Sequence, residues 1–243
     1  MASIVGNLTT TQFESLTSTS INAFTTADIQ AINTSDAAVM TTTIAQALST
    51  TQLQALASTQ LNALSTTALE TLSAAQFNEL TATQVAALNT TQFSNLSTTE
   101  INNLTNTQAA ALTSTQLGAL TTTEFGSLSS AELGSIKATA ITGLTTTSLA
   151  ALTTAQLQGI TSSQIAALTT AQIQNLSTTA IGSLGASQLL ALTTSQIGAI
   201  TDNQIQNGLT TTEMGSMSST QLQAFVATQT ASMSTAQINA LFG

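Results

Sequence analysis

A large apolar residue recurs at every eighth position through most of this chain, and that period limits the possible folds more than any other feature. The series runs through Leu8, Leu16, Phe24, Ile32, Met40, Leu48, Leu56 and Leu64 and continues without a slip to Leu192 and Ile200. One inserted residue, most simply Gly208, then moves the frame by one, and the series resumes at Leu209, Met217, Phe225, Met233 and Leu241. Five places after each anchor stands a second apolar residue, as at Phe13, Ile21, Ile29, Leu53, Leu61, Phe77, Val85, Ile165 and Ile173. Ala37, Ala45, Ala109 and Thr230 are the weak positions of this second series. The consensus L-T-T-x-Q-L-x-A is nearly undisguised in LTTAQLQG at residues 152–159 and LTTAQIQN at residues 168–175.

Neither regular secondary structure accommodates this spacing if it runs on uninterrupted. On a continuous α-helix the two anchors lie about 140° apart and each octad rotates the pattern by about 80°, so no stripe forms. On a strand the two anchors have opposite parity and face opposite sides. A helix that stops and restarts every eight residues does fit. Serine, threonine or asparagine follows nearly every anchor, and glutamine, glutamate or aspartate usually stands three places later, as in Thr9 with Gln12, Ser49 with Gln52, Ser97 with Glu100, Thr121 with Glu124 and Thr193 with Gln196. That is the capping box: the hydroxyl accepts from the N3 amide, and the N3 side chain reaches back to the N-cap amide. The anchor then falls at N′ and the second apolar residue at N4. These two form the hydrophobic staple, so Leu8 is expected to pack on Phe13 and Leu168 on Ile173.

Helices under two turns do not stand alone, since isolated helices below about 12 residues are marginal in water. Stacking between repeats must hold them, which is the logic of a solenoid. The pattern therefore predicts an all-α repeat solenoid of about 29 very short capped helices, one per octad, with leucine and isoleucine inside. The residue before the anchor is often small, as at Ala47, Ala55, Ala87, Gly143 and Gly159, which would let successive helices approach closely at each corner. A β-solenoid built on the threonine triplets is the weaker alternative. Threonine favours strands, but alternation is missing and the cap-plus-glutamine spacing has no role in a strand. The expected organisation is an N-terminal cap over 1–7 containing Ile4 and Val5, a regular solenoid over 8–207, and phase-shifted repeats over 208–243. In the last segment Met214, Met217, Phe225 and Met233 replace leucines and Thr230 takes a core slot. It would serve as a cap, an assembly surface or a secretion segment.

Composition narrows the chemistry. The 243 residues include ten acids and Lys137 as the one basic side chain, with no histidine, cysteine or proline. Disulfides, thiolate nucleophiles and the usual zinc or haem sites are excluded, and a phosphate-binding surface cannot be built, which removes nucleic acid as a partner. An acidic chain with net charge −9 is likewise a poor match to an anionic membrane. No apolar run approaches the roughly 18 residues of a membrane span, and MASIVGNLTTTQF lacks the marks of a cleaved signal peptide.

The acids read as structural. Asp28, Asp36, Glu100, Glu124, Glu132 and Glu213 occupy the N3 slot, and Asp202 lies in a first turn, where the helix dipole favours negative charge. Glu14, Glu70 and Glu79 fall near the variable seventh position and are expected to be exposed. Glu70 and Glu79 could be taken for a general acid–base pair, yet no base, cation or cofactor motif accompanies them, and no D-x-D-x-D-G run supports specific calcium binding. Lys137 and Ala57 stand where a cap hydroxyl belongs and read as broken caps. The phenylalanines other than Phe242 fill anchor slots. The sequons at Asn89, Asn95 and Asn175 read as by-products of the repeat. No catalytic, cofactor-binding or metal residue is expected, and the chain is not expected to be an enzyme.

The octads Leu152–Gly159 and Leu168–Asn175 resemble tandem repeats written L-T-x-x-Q-[LIV]-x-x-L, found in large bacterial surface and secreted proteins. The similarity covers about residues 8–241. Those repeats often carry proline after the cap residue, and this chain has none. The resemblance implies an extracellular or cell-surface location, reached here by export without a cleaved signal. With the mild charge it leads to the expectation of a structural subunit that joins head to tail with itself into a filament, sheath or surface layer. The alternative is an adhesin or ice-binding surface that presents ranks of threonine, such as Thr50-Thr51, Thr66-Thr67, Thr90-Thr91 and Thr98-Thr99, to a cell surface, a polysaccharide or ice.

Overall fold

The computed structural model describes residues 5–242. Among the described residues the chain forms 29 α-helices and one 3-10 turn, Val5–Asn7, and no strand. The octad Thr81–Leu88 shows how each helix arises. Thr81 is extended, at φ −67° and ψ 154°, and its Oγ1 accepts from the Gln84 amide at 3.2 Å. Gln84 Oε1 accepts in return from the Thr81 amide at 2.8 Å, completing the box. The helix Ala82–Ala87 ends because Leu88 is extended again, at φ −57° and ψ 129°, and its N–H turns back to the Val85 carbonyl at 3.2 Å. Asn89, also extended, caps the next helix, Thr90–Ser94. Two extended residues, the anchor and the cap, therefore make each such corner. No described residue has a positive φ, so the turns do not depend on glycine.

Each helix packs against the helix three places along the chain, as Ser58–Ala63 does against Ala82–Ala87. Three repeats thus make one coil, and coils stack. The chain divides into two compact units, Met1–Leu120 and Thr121–Gly243, each built in this way. The N4 residues Ile21, Leu53, Leu61, Phe77, Val85, Ile165 and Ile173 are fully buried inside the coils, and the anchors from Ile32 onward, other than the half-buried Leu152, are buried with them in their own unit. Leu168 and Ile173 are both buried, and so is Phe13. The alanines at weak N4 positions, Ala37, Ala45 and Ala109, are also fully buried. Beside Ala45, Ile44 enters the core from the N3 slot and supplies the missing volume. Thr230 is half-buried, and its hydroxyl donates to the Ala227 carbonyl of its own helix at 3.0 Å.

At the N-terminus Val5 is buried and its turn packs against the helix Thr26–Gln30. Ile4 lies outside the described residues. The inserted residue near 208 is absorbed by lengthening the helix Asp202–Gly208. Leu209 there donates to Gln204, five residues back, at 3.1 Å, whereas Ile200 donates to Ile197, three back. Gly208 is buried against the coil beneath, where a Cβ would come within 2.8 Å of the Thr178 carbonyl oxygen.

At Gly159 and Gly208 the small residue before the anchor works between coils, not between successive helices as the sequence suggests. A Cβ on Gly159 would lie 2.5 Å from the carbonyl oxygen of Ser130, in the helix Ser130–Ser135 three places earlier. Gly182, two places before its anchor Leu184, also faces another coil, with 2.5 Å from its would-be Cβ to the Gly208 carbonyl oxygen.

Candidate functional site

The N3 slot carries the chemistry that recurs. Gln84 is 3% exposed, and while its Oε1 holds the Thr81 amide, its Nε2 donates to the carbonyls of Leu53 and Leu56 at 2.7 and 2.8 Å. Those residues lie 31 and 28 positions earlier, in the corner of the coil beneath. Gln52 bonds Ile21 and Phe24 in the same way, Gln116 bonds Val85 and Leu88, and Gln196 bonds Ile165 and Leu168. Each such side chain satisfies an orphan N–H at the start of its own helix and reaches two carbonyls at the end of a helix one coil below, the anchor's own and the one that already accepts from the anchor's N–H. The orientation of the amide is fixed by its partners, because an N–H must meet the oxygen and carbonyls must meet the nitrogen. After the extra residue at 208 the register changes: Gln221 and Gln229 reach carbonyls 32 and 29 positions back.

Sequence reasoning assigned these glutamines only the capping half of this role. A signal for the other half was present. A capping box accepts glutamate as readily as glutamine, yet glutamine is strongly preferred here, and only glutamine can also donate.

The acids divide by what they touch. Glu14, Glu70 and Glu79 are exposed, as expected, and Asp202 lies in the first turn of its helix, also exposed. Glu124 and Glu213 cap their helices through Oε2, at 2.7 Å from the Thr121 and Thr210 amides. Asp28 completes the box of Thr25. Glu132 is buried and accepts from the Ser129 amide at 2.6 Å. Asp36 is buried, with Oδ2 receiving the Asn33 side-chain amide at 2.7 Å. Glu100 is buried as well, with Oε2 on the Ser97 amide and hydroxyl at 2.7 and 2.8 Å, but its Oε1 has no hydrogen-bond partner. The structure assigns Glu70 and Glu79 to different neighbours. Glu79 accepts from Gln54, whereas Glu70 borders a cavity of about 310 Å³ together with Glu100.

Ala57 and Lys137 make no side-chain cap bond, and both are exposed. Ala57 retains the return half of the box, its N–H donating to Gln60 Oε1. Phe13, Phe77, Phe93 and Phe125 are fully buried. The sequon asparagines serve the repeat: Asn89 caps its helix and donates to Asn62 Oδ1 at 2.6 Å, and Asn95 and Asn175 each donate to a carbonyl four residues back at 2.8 Å. Among the threonine pairs, Thr66-Thr67 and Thr90-Thr91 belong to helices one coil apart, in one column. Thr50-Thr51 and Thr98-Thr99 share another column, with Ala74-Ala75 between them. Among the described residues no group of three or more acids, histidines or cysteines could hold a metal ion, and no helix is long and apolar enough to cross a membrane.

Two stretches, residues 85–122 and 146–178, match the model of the ALTTAQ repeat family. The second contains that hexapeptide twice, at Ala151–Gln156 and Ala167–Gln172. In structural terms the six letters are the small residue between coils, the core anchor, the N-cap, two exposed first-turn positions and the clamping glutamine. No curated protein matches the chain.

Proposed function

We propose that this chain is a structural, non-catalytic protein whose coils associate with further copies of itself, as a subunit of an extracellular filament, sheath or surface layer. The observation that supports this reading is the glutamine clamp. Its acceptors are backbone carbonyls, so one coil recognises the next by main-chain position and by very few side chains, and a coil from a second copy offers the same acceptors. Such an interface is heterologous, and heterologous contacts that do not close into a ring grow open fibres. With 5% of residues charged, where about a quarter is usual, the surface does little to oppose contact between copies. The resemblance to repeats of bacterial surface and secreted proteins is in keeping with use outside the cell.

Electron microscopy of the purified protein across a concentration series tests the reading. Fibres or sheets that lengthen with concentration are expected. Monodisperse single molecules by light scattering and microscopy under every condition would overturn it.

A further inference from the structure

We infer that Glu100 and Glu70 form a site for a hard divalent cation of the calcium class, within the unit Met1–Leu120. The repeat itself shows what is unusual at Glu100. One coil below in the same column, Gln76 Nε2 donates to the carbonyls of Gln46 and Leu48 at 3.1 and 2.8 Å. That register places residue 100 over the carbonyls of Glu70 and Leu72, and both residues line the cavity of about 310 Å³ that Glu100 also lines. A glutamine would direct N–H groups at these oxygens. By the same register Glu100 would set a carboxylate oxygen against them instead, and its Oε1 is buried without a partner on a residue only 6% exposed.

A buried carboxylate oxygen facing carbonyl oxygens requires a positive species between them. No side chain supplies one, because the chain's one basic residue, Lys137, is not among those lining the cavity. The available ligands are all oxygen: Glu100 Oε1, the Leu72 and Glu70 carbonyls, and the Glu70 carboxylate at the cavity wall. Oxygen-only ligation selects hard cations over zinc or copper. An irregular set of carbonyls and carboxylates, completed by water, suits calcium better than magnesium, which demands near-octahedral geometry and gives up water reluctantly. Two carboxylates balance the charge of a divalent ion. So few protein ligands place the affinity at about 10⁻⁴–10⁻³ M.

The test uses the full chain stripped with EGTA, calcium chloride as the probe, and calorimetric titration beside thermal melts at pH 7. Binding in the stated range is expected, with the melting midpoint rising by about 2–4 °C at ten times the dissociation constant. Magnesium at the same concentration should give a smaller rise. Glu100→Gln restores the clamp, so it should melt higher than the parent in EGTA and lose the calcium response. Glu70→Gln, at an exposed position, should fold normally and bind calcium at least about threefold more weakly. A calcium response that persists in Glu100→Gln would overturn the assignment. So would a parent chain whose melting midpoint calcium leaves unchanged.

Discussion

Replacing Gln84 by glutamate isolates what the clamp contributes, because shape and the capping half are kept while the donor is lost. The parent side chain makes two buried bonds, at 2.7 Å to the Leu53 carbonyl and 2.8 Å to the Leu56 carbonyl. Each is worth about 0.5–1.5 kcal/mol net, and the new carboxylate oxygen is left buried against carbonyl oxygens, which costs about 1–3 kcal/mol more. We therefore expect Gln84→Glu to destabilise by about 2–6 kcal/mol at pH 7, read from urea melts followed by far-UV circular dichroism. Hydrogen exchange should place the loss in residues 53–87. Gln158→Glu is the control, since that position is exposed and the charge change is the same; it should stay within about 0.5 kcal/mol of the parent. The pH dependence has a definite sign. A protonated carboxyl can donate to Leu56, so the folded state holds that proton more tightly than the unfolded chain, and the folded pKa lies above the unfolded one. The penalty is then full at neutral pH and shrinks as pH falls through the folded pKa. A change below about 0.5 kcal/mol, or a penalty identical at pH 7 and pH 4, would refute the argument.

Three further substitutions address other parts of the fold. Gly159→Ala places a Cβ 2.5–2.8 Å from Ser130 backbone atoms and should cost about 1–3 kcal/mol in a urea melt. Gly126→Ala meets nothing within 4 Å in the helix Thr122–Ser127, so it should gain about 0.5–1 kcal/mol in the same assay. Ala57→Ser adds the missing hydroxyl to an exposed N-cap already at φ −65° and ψ 152°, and a gain of about 1 kcal/mol is expected by thermal melt.

The helix starts were legible because the signals that make them are local. Gln84 and Val85 stand three and four residues after the cap Thr81, and capping chemistry acts over that distance. For the same reason Ala57 and Lys137 could be recognised as broken caps without a structure. The number of helices per coil was not legible, because it depends on how Leu88 and Asn89 turn the corner, and their two extended conformations carry no distinctive residue. Once that number was missing, the partners of Gln84 at Leu53 and Leu56 could not be found, nor the opposition of Gly159 to Ser130. Glu100 was placed correctly in its capping box, but what lies beneath it was hidden by the same gap. Its local environment is an ordinary capping box, and its peculiarity exists only with respect to the coil below. Ala45 shows a different limit: it breaks the apolar series, and only the packing shows that Ile44 fills the space.

The clamp also changes what the scarcity of charge means. A side chain that makes the clamp from N3 must accept from the N-cap N–H and donate to carbonyls a coil away. Glutamate and aspartate only accept, and lysine and arginine only donate. Asparagine has the right groups but a shorter reach, and it occupies no N3 position in this chain. Glutamine is what remains, so each clamp joins its two coils without charge. If copies join by the same neutral bonds, assembly should respond weakly to ionic strength, because screening acts on charges and not on buried amide–carbonyl pairs. Light scattering of the assembling protein from about 50 to 500 mM sodium chloride should then give nearly constant fibre mass, whereas a chain held apart by its net charge of −9 would assemble steeply better as salt rises. A strong rise would show that repulsion controls association and that the clamp is not what joins the copies.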